Sequence, residues 1–125
     1  MVINVKNEKI FVYGSLRKDE PLHEIIKPYI ICDYGIDILY DWALYNETNC
    51  FYPYAIRQDN SFIIGELYLV NNKCINELDE IESQYNRIYE NGIIIYEWND
   101  ERKGFHIEHG DWIKYKKEIL KDIDG

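Results

Sequence analysis

Short apolar runs, separated by glycine, proline and asparagine, make up most of the chain. Residues 10–13 form one such run, which ends at Gly14 and is too short for a helix, so it is typical of a buried strand. Residues 62–70 form the clearest strand, because apolar side chains alternate onto both of its faces. Residues 30–45 mix aliphatic and aromatic side chains around Gly35, which predicts strand segments joined by a bend. Strands therefore dominate the predicted structure.

Turn and capping signals mark a hairpin and the helices. The Asn-Gly pair at 91–92 lies between two apolar segments and predicts a two-residue hairpin turn, since both residues accept positive φ. The Asn-Asn pair at 71–72 predicts a turn and a helix N-cap, and apolar residues follow at helical spacing as far as Glu82. Shorter helices are predicted for residues 20–26 and 111–120.

Proline and chain length complete the fold prediction. Pro53 lies in the aromatic segment 51–56, and because proline cannot donate a ladder hydrogen bond, this segment is predicted to be an edge strand or irregular. No internal repeat or linker divides the chain, and 125 residues are typical of one domain. We therefore predict a single α+β domain over residues 1–125, with a mixed sheet that curls into a small β-barrel flanked by two or three helices.

The charge balance is acidic, with 23 acidic against 14 basic residues and a formal net charge of −9. A negative surface repels phosphate backbones and anionic lipids, so no nucleic-acid or membrane partner is predicted. The three cysteines, Cys32, Cys50 and Cys74, form no CxxC pair, which indicates free thiols in a reducing compartment. The polar N-terminal segment and the absence of a long apolar run favour a cytoplasmic protein. The oligomeric state stays open.

The first candidate site follows the strand at 10–13 and has the sequence Tyr13-Gly14-Ser15-Leu16. A glycine there allows a sharp turn and lets a ligand approach the backbone amides. Successive turn amides can hold an anion such as a carboxylate. A plain turn with no ligand is the alternative interpretation.

The second candidate is Glu82, at the end of the predicted amphipathic helix. If this carboxylate is partly removed from water, its pKa rises and it becomes a proton shuttle near neutral pH. The alternative is a surface acid paired with Arg87. His106 and His109 form an HxxH pair without a further ligand, so no metal site is predicted.

Together these segments resemble the gamma-glutamylcyclotransferase family, which includes gamma-glutamylamine-cleaving members. The motifs that carry the resemblance occur in the family's order: Tyr13-Gly14-Ser15-Leu16-Arg17, Tyr52-Pro53-Tyr54-Ala55-Ile56, Gly65-Glu66-Leu67-Tyr68, Leu78-Asp79-Glu80-Ile81-Glu82, Tyr85-Asn86-Arg87 and Gly110-Asp111-Trp112. The resemblance runs from Ile10 to Trp112. One departure is the segment Ser83-Gln84, where the family usually has a glycine and a short insert.

The resemblance implies a small β-barrel enzyme that needs no cofactor and converts a gamma-glutamyl amine or dipeptide to 5-oxoproline and a free amine. It implies that Glu82 is the catalytic general acid and base. It also implies that the loop from Tyr13 to Leu16 binds the substrate. Tyr85 and Arg87 are further substrate-binding candidates, and the alternative for both is a purely structural place in a strand. A non-catalytic small-molecule-binding or regulatory module on the same fold remains the alternative function.

Overall fold

The computed structural model describes residues 6–47, 52–82, 85–98 and 104–124. In these ranges it contains six strands and three α-helices. In chain order they are β1 (Asn7–Val12), α1 (His23–Ile26), β2 (Ile30–Glu47), β3 (Pro53–Asn71), α2 (Asn72–Ile81), β4 (Tyr85–Glu90), β5 (Ile93–Trp98), β6 (Gly104–Ile107) and α3 (Trp112–Asp124). None of the helices in these ranges has the length and apolar character needed to cross a membrane.

The strands form one mixed sheet in the order β4-β5-β1-β3-β2-β6. β1 and β5 are parallel, and every other neighbouring pair is antiparallel. The α+β class with a mixed sheet and three helices is therefore confirmed. The predicted closure into a barrel is wrong, because no ladder within the described residues joins the outer strands β4 and β6. Closure depends on strand tilt and stagger, which the side-chain pattern of a single strand does not encode.

The predicted hairpin and helix cap are both present. Asn91 and Gly92 have φ values of 52° and 78°, and they connect β4 to β5. The side chain of Asn71 accepts a hydrogen bond of 2.9 Å from the amide of Lys73, so it caps α2 at its N-terminus. Gly35 has a φ of 81° and lies at an irregularity in β2, which confirms the predicted bend. Local chemistry was sufficient for these features because the signals act within a few residues.

Two other segments show how far the predictions extend. Pro53 begins β3, and residues 53–57 form a ladder with β2 alone within the described residues, as predicted for an edge position. Only the later residues 66–71 of β3 lie between β1 and β2. The first residue of a strand on an edge tolerates proline. The helix predicted for residues 20–26 is confined to α1, and Lys27–Tyr29 continue it as one turn of 3₁₀-helix with Pro28 in that turn.

The sheet buries one apolar cluster on each face, and β1 contributes to both because its side chains alternate. Ile10 and Val12 pack on the face covered by Ile75 and Leu78 of α2. Phe11 and Tyr13 pack on the opposite face, in the cluster that contains Trp112 of α3. The end of β1 therefore lies between two packed layers, which fixes the starting point of the loop that follows it. Cys32 and Cys74 are free thiols, and Cys50 lies outside the described residues.

Candidate active site

A cavity of about 250 Å³ lies where β1 ends. It is lined by six of the residues that the sequence nominated: Tyr13, Gly14, Ser15, Leu16, Glu82 and Tyr85. They come from the loop after β1, the end of α2 and the start of β4, so residues up to 72 positions apart in sequence meet here. Arg87, the seventh, does not line this cavity. The roles of all seven in binding and catalysis stay predictions.

Several residues of the cavity wall received no functional role from the sequence. Tyr52 and Pro53 line the wall beside the loop, and the Tyr-Pro motif is the sequence feature that could have identified them. Tyr96 lines it from β5, and nothing in its local sequence distinguishes it from any other strand tyrosine. Ser83 and Gln84, the departure from the family pattern, lie outside the described residues.

The loop after β1 is a tight turn with unused donors. The amide of Arg17 donates to the carbonyl of Gly14 at 2.9 Å, and the amide of Leu22 donates to the carbonyl of Ser15 at 3.0 Å. In the described part of the chain, the amides of residues 14–16 have no acceptor of their own. They are therefore available to an anionic group in the cavity, as expected for successive turn amides.

Close packing explains the glycine in this turn. A Cβ added to Gly14 would stand 2.5 Å from Cγ of Pro53, and the proline ring cannot move aside without displacing the start of β3. A second contact holds the far end of the loop, where Nδ1 of His23 lies 2.9 Å from the carbonyl oxygen of Leu16. Because a carbonyl only accepts, the imidazole is the donor. Pro53 is distant from the loop in sequence, and His23 lies beyond its turn. Only the tertiary structure therefore shows these two constraints.

Arg17 anchors the loop and points away from the cavity. Its side chain is only 5% exposed. The guanidinium donates through Nε to the carboxylate of Glu66 and through Nη1 to Oδ1 of Asp111 at 2.9 Å. The amide of Lys18 donates to the same Glu66 carboxylate at 2.8 Å. Three motifs that are far apart in sequence thus meet in one buried ion network beneath the candidate site.

Glu82 occupies the C-cap of α2 and projects into the cavity. Its amide donates to the carbonyl of Leu78 at 2.7 Å, and its carbonyl accepts from the amide of Tyr85 at 2.9 Å. Burial raises the pKa of its carboxyl group from 4.5 to about 7. Arg87 pairs with Asp79 at 2.7 Å, so the interpretation of Glu82 as a surface acid paired with Arg87 does not match the structure. A carboxyl group with this pKa can both accept and return a proton near neutral pH.

The tyrosines around Glu82 bind other protein groups through their hydroxyls. Tyr13 donates to the carbonyl of Tyr96 at 2.8 Å, and Tyr85 donates to the carbonyl of Pro53 at 2.7 Å. Burial raises the pKa of both phenols well above the ordinary value, so they keep their hydrogens at neutral pH. Because each has one hydrogen and a carbonyl acceptor already takes it, neither can donate to a ligand in this arrangement.

The raised pKa of Glu82 leads to a prediction about stability. Between about pH 4.5 and 7 the folded protein keeps a proton that the unfolded chain has lost, so this group makes stability fall as pH rises through that window. Glu82→Gln removes the effect, and we expect it to be more stable than the parent by up to about 3 kcal/mol near pH 8 but not near pH 4. Urea unfolding at the two pH values measures the difference.

The matched control for that prediction is Glu80→Gln, on the exposed side of the same helix. It should change the free energy of unfolding by less than about 0.5 kcal/mol at either pH. A loss of stability in Glu82→Gln of the same size at both pH values would contradict the assignment of a buried, proton-retaining carboxyl group.

Among the described residues, no group of three or more His, Cys, Asp or Glu side chains is arranged to hold a metal ion. His106 stacks on Tyr45 with ring centroids 5.0 Å apart. His109 lies 3.2 Å from the carboxylate of Glu118. The two histidines of the HxxH pair thus have separate partners.

Comparison with known proteins identifies the family of the chain. The family model described as "Gamma-glutamyl cyclotransferase, AIG2-like" matches residues 10–114. A protein of Pyrococcus horikoshii named "Putative gamma-glutamylcyclotransferase PH0828" is 31% identical in an alignment of 114 residues, which covers 86% of this chain and 92% of that protein. The chain belongs to the gamma-glutamyl cyclotransferase, AIG2-like family.

Solved structures show the same fold. The crystal structure of PH0828 superposes with a TM-score of 0.77 at 28% identity and covers 91% of this chain and 97% of that one. The solution structure of ytfP from Escherichia coli gives 0.68 at 25% identity, with coverage of 86% and 98%. The crystal structure of YkqA from Bacillus subtilis gives 0.75 at 24% identity and covers 93% of this chain but 43% of that one, and this likeness shows the fold alone.

Proposed function

We propose that this protein is a gamma-glutamylcyclotransferase that converts a gamma-glutamyl amine or dipeptide to 5-oxoproline and a free amine. The observation that carries the proposal is Glu82, a carboxyl group whose pKa is raised to about 7 by burial in the same cavity as the loop amides of residues 14–16. Membership in the gamma-glutamyl cyclotransferase, AIG2-like family supports the reaction class. A cavity of about 250 Å³ suits an amino-acid-sized group, since it lies below the range of roughly 300–1,000 Å³ typical of larger ligands.

In the proposed reaction the substrate's α-amine attacks its own γ-carbonyl carbon. A C–N bond closes the five-membered lactam, and the C–N bond to the leaving amine breaks. Starting from an α-ammonium group, two protons move from the attacking nitrogen to the leaving nitrogen, so no water is consumed. Glu82 accepts a proton from the attacking nitrogen and delivers it to the leaving one. A group with a pKa near the working pH is suited to both transfers.

The loop amides and the cavity walls supply the rest of the proposed mechanism. The amides of residues 14–16 hold the α-carboxylate and orient the folded glutamyl chain. Since nucleophile and electrophile belong to one molecule, holding the cyclising conformer is the main requirement, and positioning of this kind contributes up to about 7–11 kcal/mol in favourable intramolecular reactions. Tyr13 and Tyr85 form part of the cavity wall that holds this conformer.

The test is to incubate the purified protein with gamma-glutamyl ethylamide, gamma-glutamyl dipeptides and glutathione, and to detect products by mass spectrometry. We expect 5-oxoproline and the released amine in equal amounts from at least one substrate. The matched control is the same compound acetylated on its α-nitrogen, which cannot cyclise and should give no product. Release of glutamate instead would indicate hydrolysis. Binding of glutamate without turnover of any substrate would favour a non-catalytic binding module.

A further inference from the structure

The last turn of α2, which ends at Glu82, has little apolar packing of its own. Leu78 is fully buried, but Ile81 is 47% exposed although it lies next to the catalytic candidate. Apolar burial therefore holds the helix as far as Leu78 and leaves the final turn to other contacts. The backbone bond from Tyr85 to the carbonyl of Glu82 is one of them.

Asp79 supplies two more contacts, and both reach the β4–β5 hairpin. Its Oδ1 accepts a hydrogen bond of 2.9 Å from the hydroxyl of Tyr96 in β5. Its Oδ2 accepts one of 2.7 Å from Nη1 of Arg87 in β4. One carboxylate on the final turn of α2 thus binds two strands that form one side of the cavity.

The hairpin is in turn joined to the loop side of the cavity. The backbone carbonyl of Tyr96 accepts a hydrogen bond from the hydroxyl of Tyr13, the first residue of the loop. Asp79 and Glu82 are three positions apart on the same helical turn, so movement of one displaces the other. A continuous path of hydrogen bonds therefore links Arg87, Asp79 and Tyr96 to the residue at which the loop begins.

We propose that Asp79 is a positioning residue that fixes Glu82 in the cavity by binding the last turn of α2 to the β4–β5 hairpin, and that Arg87 acts on the site through Asp79. This inference depends on the proposed function only for its effect on turnover. It assigns Arg87 an indirect role through Asp79, although its side chain does not line the cavity. The ion pair is about two-fifths exposed on each side, so we expect the Tyr96 bond to contribute more than the Arg87 bond.

The first readout is the pKa of the Glu82 carboxyl group, followed by ¹³C NMR in the purified protein. The phenols that interact electrostatically with Glu82 are Tyr13, directly after β1, Tyr85 in β4 and Tyr96 in β5. In Asp79→Asn the loosened turn lets water reach Glu82, and we expect its pKa to fall from about 7 by at least about one unit toward the ordinary value.

Arg87→Met separates positioning from simple electrostatics. If Asp79 and Arg87 act on Glu82 only as charges, removal of the cation raises the Glu82 pKa, whereas removal of the Asp79 anion lowers it. If Asp79 and Arg87 position the helix turn, both variants lower the Glu82 pKa, and Arg87→Met lowers it less than Asp79→Asn does. Glu80→Gln removes an exposed acid from the same turn without touching either strand and should leave the Glu82 pKa within about 0.3 units of the parent.

The second readout is turnover of the substrate found active in the product assay. Displacement of a catalytic group by about 1 Å can reduce the rate by about 10²-fold, so Asp79→Asn should lower kcat by up to that factor while KM changes little. Circular dichroism and urea unfolding establish that each variant is folded. If Asp79→Asn does not fold, Tyr96→Phe replaces it, because this variant removes only the hydroxyl that contacts Asp79.

Opposite shifts of the Glu82 pKa in Asp79→Asn and Arg87→Met would overturn the positioning role, as would an unchanged pKa in both Asp79→Asn and Tyr96→Phe. The Glu82 pKa could fall in both Asp79→Asn and Arg87→Met although the parent protein turns over no gamma-glutamyl compound. That result would support the positioning role and count against the proposed function. The NMR and product measurements therefore distinguish the failure of one from the failure of the other.

Discussion

Glu82→Gln is expected to lower the rate of 5-oxoproline release by about 10²–10⁴-fold, the usual contribution of a general acid–base group. Glutamine has nearly the same shape, so the cavity keeps its volume, but the amide can neither accept the proton from the attacking nitrogen nor return it to the leaving amine. The measurement is the initial rate of product formation by mass spectrometry at saturating and subsaturating substrate. Since the loop of residues 14–16 is untouched, we expect most of the loss in kcat.

The matched control is Glu80→Gln, which changes the same residue type on the same helix but on its exposed side. It should turn over substrate at the parental rate. Urea unfolding of Glu82→Gln shows that loss of activity does not reflect loss of the fold. Parental activity in folded Glu82→Gln would exclude Glu82 as the proton carrier, whatever the reaction turns out to be.

Arg17→Met should destabilise the protein by about 3–5 kcal/mol, because it leaves the buried carboxylate of Glu66 and the partly buried carboxylate of Asp111 without their cation. The side chain of Glu66 is 7% exposed and that of Asp111 is 24% exposed, and the Arg17 guanidinium donates to both. Methionine fills much of the same volume, so the expected loss comes from the uncompensated charge and not from a cavity. The free energy of unfolding in urea near neutral pH measures it.

Lys18→Met is the matched control, since Lys18 is the exposed neighbour and contacts Glu66 only through its backbone amide. Its effect should be within about 0.5 kcal/mol. The double variant Arg17→Met, Glu66→Gln should recover part of the loss, because the buried anion is removed together with the cation. Equal stability of Arg17→Met and Lys18→Met would show that the network contributes nothing measurable.

The ion network also gives a physical reason for the order of motifs along the chain. Arg17 follows the loop, Glu66 lies in the Gly-Glu-Leu-Tyr strand and Asp111 precedes α3, yet the three meet beneath the cavity. Asp111 also accepts from the amides of Ile113 and Lys114 at the start of that helix. The three motifs therefore share a structural role in this chain, because their side chains together hold the residue that follows the loop. The sequence pattern alone does not show this contact.

Much of the local structure could be predicted from the sequence. The Asn-Gly hairpin, the Asn71 cap and the bend at Gly35 depend on the conformational preferences of one or two residues, which operate wherever those residues occur. The nomination of Glu82 and the Tyr13–Leu16 loop came from spacing and from the family resemblance. The sequence could not establish that they line one cavity, because this depends on how α2 packs on the sheet.

Other features had no local signal. The sequence does not predict strand β6, because its four residues are too few to show an alternating pattern and its partner, residues 44–47, is distant along the chain. The sequence identifies Arg87 as a substrate-binding candidate. In the structure its side chain binds Asp79, which lies eight positions earlier on a different element, so no local pattern predicts the contact. Tyr96 joins the cavity wall because β5 lies parallel to β1, and no pattern along β5 records which strand is its neighbour.

The sequence alone determined where strands, turns and caps form and which carboxylate and loop deserve a functional hypothesis, because these depend on side-chain chemistry within a few residues. Only the tertiary structure decided that the sheet stays open between β4 and β6, that Arg17 is buried beneath the loop, and that Glu82 is desolvated enough for its pKa to reach about 7. These outcomes depend on which distant surfaces exclude water together, and burial is a property of the packed chain.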